Sequence, residues 1–310
     1  MDGASGLTES MELRKMSFEE EYRHRINKAV DYIEQHPQQK LCLSELAQAA
    51  GISPFHFHRL FLLYTGEAPA SYIRRRRLSQ AFRDLRDRKQ HQIMDVALRY
   101  GYESLSAFSR AFRTRFGFSP KDSIQHRQNS LSQWQAQKSD SEKQQWPAER
   151  IESHLGFVIV GVMEYGYEGR SFAKAAQRAY TKAIAEVDRQ RLPTGHAVAI
   201  MDQDPDLEDG RVVRYFGGFI LKQDSIPSVQ APLEVRSLPP GPTAVFTHRG
   251  SYKTLWQTWN QAYRNWLPLS RYDLRDAPPF EVYLVDPRQV KKEAELLTEI
   301  YIPIQERSQV

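Results

Sequence analysis

The pattern of hydrophobic and polar positions changes near the middle of the chain. Up to about residue 128, apolar residues recur at the three- and four-residue spacing of amphipathic helices. From residue 148 onward, strand-like segments such as HAVAIMD and FEVYLVD alternate with two long amphipathic helices. The polar residues between these parts lack periodicity, which is typical of a linker. The chain therefore predicts a flexible leader over 1–20, an all-α domain over 21–128, a linker over 129–147 and an α+β domain over 148–310.

One helix-turn-helix pattern occurs twice in the first half. Segments 43–69 and 93–120 each predict a short helix, a turn at glycine and a second helix. Gly51 and Gly101 stand at these turns, where a positive φ ends a helix at little cost. A helix over 70–88 would set the distance between the units. Two such second helices can enter successive major grooves, about 34 Å apart.

The charge distribution supports a polyanionic partner for the first half. The whole chain carries a net charge of +5, yet residues 18–128 contain 19 Lys and Arg against 12 Asp and Glu. The densest basic run is Arg74–Arg77. A basic half beside a near-neutral half suggests a nucleic-acid binder with a second module, although a solvated helix face explains any single basic run equally well.

The remaining composition narrows the class of protein. Cys42 is the one cysteine, which excludes an intramolecular disulfide and a cysteine-based metal cluster. No run of 18 apolar residues is present. These features predict a cytoplasmic protein without a metal or cofactor.

The doubled unit resembles the DNA-binding domain of the AraC/XylS family of transcription regulators over about residues 22–127. The resemblance is carried by the spacing, in the second unit, of Ala97, Gly101, Phe108, Arg110, Phe112, Gly117 and Pro120. It implies double-stranded promoter DNA as a partner, and it allows RNA polymerase as a second one.

The sides of the two second helices that face away from their apolar stripes are the candidates for reading base edges. They carry Phe55, His58 and Arg59 on the first helix, and Ser106, Ser109, Arg110 and Arg113 on the second. An arginine can hold guanine through two hydrogen bonds, worth about 1–3 kcal/mol of discrimination. Arg59 and Arg110 occupy the same place in two copies of the motif, which favours this role over that of a solvated charge. The run Arg74–Arg77 is expected to support phosphate contacts or the connecting helix.

The second half repeats a strand–helix–strand–strand pattern. This arrangement, and the phrases THRGSYKTLWQTW, PPFEVYLVDP and LTEIYIPI, resemble the GyrI-like effector-binding domain. The resemblance implies two pseudosymmetric modules with a ligand cleft between them. It also implies that Glu281 binds cationic or amphipathic molecules.

Strand alternation around Glu281 predicts the lining of that cleft. Phe280, Val282 and Leu284 would face the helices, while Glu281 and Tyr283 would face the cleft. A carboxylate among aromatic rings suits a hydrophobic cation, although a solvent-exposed strand glutamate is the simpler interpretation. The expected aromatic neighbours are Tyr252 and Trp256 from the start of a helix over 252–267, and Tyr165 and Tyr167 from a loop after the first strand; Tyr215 and Phe216 are weaker candidates.

The leading hypothesis is a one-component transcription regulator that is not an enzyme. Its first half would read promoter DNA and its second half would sense a small amphipathic or cationic effector. One alternative is a GyrI-like hydrolase of reactive small molecules, with Glu281 as general base and Tyr283 as hydrogen-bond donor. Another is a second half that binds a protein partner.

Overall fold

The computed structural model describes residues 18–86, 92–125, 148–167, 172–202, 212–222, 228–285 and 290–307. The predicted linker lies outside these residues, as does the predicted leader apart from its last three positions. Among the described helices, none combines the length and the apolar character needed to cross a bilayer.

The first half is helical, as the periodicity predicts. Its helices are α1 (Phe18–Gln35), α2 (Leu43–Ala50), α3 (Pro54–Thr65), α4 (Pro69–Arg86), α5 (Ile93–Arg99), α6 (Leu105–Phe116) and α7 (Pro120–Gln125). The two helix-turn-helix units are confirmed as α2–α3 and α5–α6, joined by α4. Gly51 and Gly101 adopt φ values of +62° and +80° at the two turns, a region that side chains with a Cβ rarely enter.

The second half is built on one antiparallel sheet. Its strands are β1 (Arg150–His154), β2 (Phe157–Tyr167), β3 (Thr194–Asp202), β4 (Val212–Leu221), β5 (Glu234–Leu238), β6 (Gly241–Arg249), β7 (Tyr272–Leu274), β8 (Phe280–Tyr283) and β9 (Leu297–Glu306). Helix α8 (Phe172–Arg189) follows β2, and helix α9 (Leu255–Asn260) follows β6. Along the sheet the strands run β1-β6-β9-β8-β3-β4-β2-β5, with β7 paired to β9. Each half of the sheet contains three strands of one repeat: β2, β3 and β4 in one half, and β6, β8 and β9 in the other. In both halves the third strand of the repeat lies between the first and the second, so that β3 and β8 pair at the centre of the sheet.

The two faces of β8 are separated as alternation predicts, but they point the other way. Phe280 and Val282 pack in a cluster made of strand residues, including Ile159, Val198 and Phe216. The expectation that this apolar set packs on the helices is therefore wrong. The sheet curves so that its two ends approach each other on this face: the ring of His154 on the end strand β1 stacks on that of Phe157 on β2, which neighbours the other end strand β5, with centroids 4.8 Å apart. The helices lie on the other face, where Tyr283 packs against the α8 cluster of Ala175 and Ala179.

The predicted helix over 252–267 is not a single α-helix. A 3-10 turn (Tyr252–Thr254) leads into α9, which continues as a π-helical segment (Gln261–Trp266) and a second 3-10 turn (Leu267–Leu269). A π turn bonds i to i+5 and so shifts the side chains that follow it. Trp259 and Tyr263 end up stacked, with ring centroids 6.1 Å apart.

The first helix-turn-helix unit and the sheet domain share one hydrophobic core. This cluster, here called the junction core, includes Phe57 and Phe61 of α3 together with Trp259, Tyr263 and Ile300 of the second half. The second unit has a separate core, in which Phe82 of α4 packs with Phe108 and Phe112 of α6. Helix α3 is therefore docked on the sheet domain, while helix α6 belongs to a core of its own.

Candidate DNA-reading helices and effector site

Helix α6 presents its predicted reading face to solvent. Ser106, Arg110 and Arg113 are exposed and Ser109 is partly buried, while Phe108 and Phe112 are fully buried beneath them. Ser104 caps the helix by accepting a hydrogen bond from the backbone N–H of Ala107 at 3.2 Å. The helix is thus fixed at its start and held by its aromatic stripe, which leaves the two arginines free of the core.

Helix α3 has the same pattern in a different environment. Ser53 stands at its N-cap position, yet makes no capping hydrogen bond with its side chain. Its hydroxyl instead donates to the carboxylate of Asp276 at 2.6 Å, across to the second half. Pro54 at the first helical position leaves fewer backbone donors to be capped. The serine is therefore available for an interdomain contact.

His56 is fully buried at this junction and is held in one tautomer. Its Nε2 lies 3.0 Å from the carbonyl oxygen of Arg275, which can only accept, so Nε2 carries the proton. Nδ1 then accepts a hydrogen bond from the hydroxyl of Tyr263 at 2.7 Å. Burial lowers the pKa of His56 to about 4, and the positive charge of Arg59 contributes. The imidazole is therefore neutral at physiological pH.

Arg59 points towards the sheet domain. Its guanidinium carbon lies 3.9 Å from the centroid of the Trp259 ring and 5.8 Å from that of Tyr263. Burial lowers the pKa of Arg59, whereas the nearby Tyr263 and Glu281 oppose that change.

Of the predicted reading residues on α3, Phe55 is 45% exposed, while His58 and Arg59 are partly buried. Burial, and then the charge of Arg59, lower the pKa of His58 to about 4. The sequence predicted that all three side chains face a DNA groove. In the structure only Phe55 of the three is exposed, because the sheet domain covers part of the side of α3 that carries His58 and Arg59.

The arginine run of α4 is tied to its neighbours. Arg75 donates to Glu67 at 2.7 Å, and Arg76 pairs with Glu34 of α1. Arg77 is buried and donates to the backbone carbonyl of Gln39. These contacts favour the connecting-helix role over phosphate binding for these three residues.

Glu281 is buried among polar and aromatic side chains on the helix side of the sheet. Only 6% of it is exposed. The indole N–H of Trp259 donates to one carboxylate oxygen at 2.7 Å, and the hydroxyl of Tyr283 donates to the other at 2.5 Å. Tyr252 meets the Tyr283 ring edge to face, with centroids 5.3 Å apart, and the Tyr215 hydroxyl lies 3.3 Å from that of Tyr283. The simpler interpretation, an exposed strand glutamate, is therefore excluded.

The tyrosines around Glu281 remain protonated donors. Burial and the charge of Glu281 raise the pKa of Tyr283 and of Tyr215. Tyr180 of α8 stands edge to face with Tyr283, and burial and Tyr215 raise its pKa. The arrangement is thus a buried carboxylate surrounded by phenol and indole groups. Chemically, it can neutralise and stack against an organic cation.

The other predicted effector residues do not lie around Glu281. Tyr165 and Tyr167 lie within β2 and not in a loop after it. Glu164 bonds to Arg178 of α8, so alternation puts the neighbouring Tyr165 on the sheet face away from Glu281. The side chain of Tyr167 lies outside the described residues. Trp256 is 58% exposed on the outer side of α9. Phe216 belongs to the all-strand cluster on the opposite face.

Trp259, Tyr180 and Tyr263 were not among the predicted site residues. All three belong to aromatic positions of amphipathic helices, which usually form core. One signal was available for Trp259, because a buried indole N–H nearly always needs an acceptor and Glu281 is the acid on the strand expected near it.

Two family models match the chain, one in each half. A helix-turn-helix domain covers residues 46–125, and a GyrI-like small molecule binding domain covers residues 156–305. The right origin-binding protein of Escherichia coli K12 is 40% identical over 89 residues, which are 29% of this chain and 30% of that protein. The Tn10 TetD protein of Escherichia coli is 38% identical over 105 residues, 34% of this chain and 73% of that protein. The chain belongs to the AraC-type helix-turn-helix regulators.

This AraC-type chain carries a GyrI-like domain as its second half. The chain spans less than half the length of several curated relatives, 33% of one and 43% of another. Among solved structures, the EcmrR C-terminal domain aligns with 51% of this chain and 97% of its own length, at 15% identity and a TM-score of 0.42.

Proposed function

We propose that this protein is a one-component transcription regulator that reads promoter DNA with α6 and α3 and binds a hydrophobic cation at Glu281. The observation that carries the proposal is the buried carboxylate of Glu281 among aromatic rings, in the same chain as a doubled helix-turn-helix. Among the described residues, no group of three or more histidine, cysteine, aspartate or glutamate side chains is placed to hold a metal ion.

The DNA half of the proposal is supported by α6. Arg110 and Arg113 stand exposed one turn apart on a helix whose opposite side is anchored by Phe108 and Phe112. Such a rigid, outward-facing helix can place a guanidinium at a guanine edge.

Replacing Arg110 by alanine is expected to remove sequence selectivity. Full-length chain would first be used to select duplexes from a random library. Arg110→Ala should then lower the ratio of selected to scrambled duplex affinity by about tenfold or more, since a bidentate guanine contact contributes about 1–3 kcal/mol. Arg23→Ala, an exposed arginine on α1, is the matched control. An unchanged ratio for Arg110→Ala would remove α6 from the reading role.

Replacing Glu281 by glutamine is expected to abolish cation binding. The substitution keeps the shape of the side chain but removes the charge that an organic cation needs. Titration calorimetry with tetraphenylarsonium should show at least about a tenfold loss of affinity, the amount that 1.4 kcal/mol corresponds to. The equally shaped anion tetraphenylborate should not bind.

The control for this variant is Glu164→Gln, a buried carboxylate on β2 that already pairs with Arg178 and Lys182. Equal cation binding by wild type and Glu281→Gln contradicts the proposed site. Mass spectrometry of the recovered ligand separates sensing from turnover, because a sensor returns its ligand intact.

A further inference from the structure

Helix α3 and the Glu281 site meet at one ring. We propose that Arg59 is the internal cation of the effector site, held on Trp259 near Glu281 until an effector cation replaces it, and that this exchange controls whether α3 reads DNA. The inference rests on the proposed function of the Glu281 site and names how that site is regulated.

Trp259 touches both partners of the exchange. The Arg59 guanidinium lies over its ring at 3.9 Å, while its indole N–H donates to Glu281 at 2.7 Å. Any ligand that rearranges the hydrogen bonds of Glu281 therefore acts on the same side chain that supports Arg59. Trp259 therefore connects Arg59 of α3 to the carboxylate of Glu281.

The charge of Glu281 is part of what keeps Arg59 at the junction. Removing a guanidinium from water is costly, and Tyr263 and Glu281 are among the neighbours that offset this cost for Arg59. A cation that pairs with Glu281 cancels that attraction. It also brings a second positive charge close to Arg59 in a weakly screened environment. Both effects favour departure of the guanidinium.

Departure of Arg59 does not require the domains to separate. Phe55 and Leu62 lie four residues before and three residues after Arg59, and they are 45% and 42% exposed. The outer side of α3 next to Arg59 is therefore open to solvent. Rotation of the long side chain would carry the guanidinium to this side, where it would match Arg110 on α6. The contact of Ser53 with Asp276 does not involve Glu281 and can persist, as can the packing of Phe57 and Phe61 in the junction core.

Exchange of cations makes DNA and effector binding reciprocal. An effector that frees Arg59 raises the affinity for DNA, and DNA that uses Arg59 raises the affinity for effector by the same factor. No interaction travels through the linker in this account, because α3 already lies against the sheet domain.

The test is calorimetric titration of the full chain with tetraphenylarsonium. Arg59→Ala removes the internal competitor, so cation affinity should rise by about 2- to 30-fold, the range that a cation–π contact of about 0.5–2 kcal/mol corresponds to. Arg23→Ala removes an exposed arginine of α1 that has no assigned role in binding and should leave the affinity unchanged. Ser53→Ala loosens the junction without touching Trp259 and should also leave it unchanged.

The outcomes separate this inference from the function on which it rests. If Arg59→Ala binds the cation no more tightly than wild type, while Glu281→Gln still abolishes binding, the exchange is wrong and the site stands. If Ser53→Ala tightens cation binding as much as Arg59→Ala does, a general loosening of the contact between α3 and the sheet domain explains the result, and the exchange is wrong. If neither wild type nor Arg59→Ala binds the cation, both proposals fail.

Discussion

His56 links protonation to the docking of helix α3 on the sheet domain. The imidazole donates to the carbonyl of Arg275 and accepts from Tyr263, a pairing that only the neutral ring can make. Asp273 and Asp276 also act on it electrostatically, but burial and Arg59 keep its pKa low. A proton on Nδ1 would turn an acceptor into a donor facing the Tyr263 hydroxyl. The junction therefore depends on a histidine that stays uncharged.

The stability of the chain should consequently fall as the pH falls from about 6.5 towards 4. Over this window an unfolded histidine binds a proton while buried His56, with its pKa near 4, does not. Because the unfolded state gains protons, the stabilising contribution is complete above pH 6.5 and is lost on acidification. Thermal unfolding of wild type and His56→Gln at a series of pH values measures this.

The test is the difference in melting temperature between wild type and His56→Gln, because other groups in both proteins also titrate in this pH range. Wild type should lose more melting temperature than His56→Gln between pH 6.5 and 4. Parallel curves would mean that His56 plays no part in this pH dependence.

At the scale of elements, the hydrophobic periodicity predicted which helices and strands exist and, for most of them, where they begin and end, but it did not predict what each of them packs against. The glycines at 51 and 101 and the apolar stripes of α3 and α6 were enough to predict both units. The same stripe could not reveal that Arg59 faces another domain, because a 3.6-residue pattern marks the apolar face and is silent about what covers the rest. Likewise, alternation correctly placed Glu281 and Phe280 on opposite faces of β8. It does not indicate which of the two faces packs against the helices, and that face was predicted wrongly. The π-helical segment that stacks Trp259 on Tyr263 has no signature in the spacing of the aromatics.

At the scale of the whole molecule, the junction core changes how the two halves can communicate. A polar linker alone would transmit little between a reader and a sensor. Here Phe57 and Phe61 of the reader share a core with Trp259 of the sensor, and Trp259 bonds to Glu281. A change at Glu281 therefore reaches α3 through one residue, while α6 keeps a separate core. Under the proposed exchange, ligand binding at Glu281 would therefore act on α3 and leave α6 unaffected.

Footprinting of the full chain, with and without saturating tetraphenylarsonium, tests this account most directly. The duplex would be one selected in the presence of the cation. Without the cation we predict protection of one major-groove segment, contacted by α6. With it, a second protected segment should appear about one helical turn, roughly 34 Å, away, where α3 enters with Arg59. Identical footprints in the two conditions, or no protected segment in either, would contradict the account.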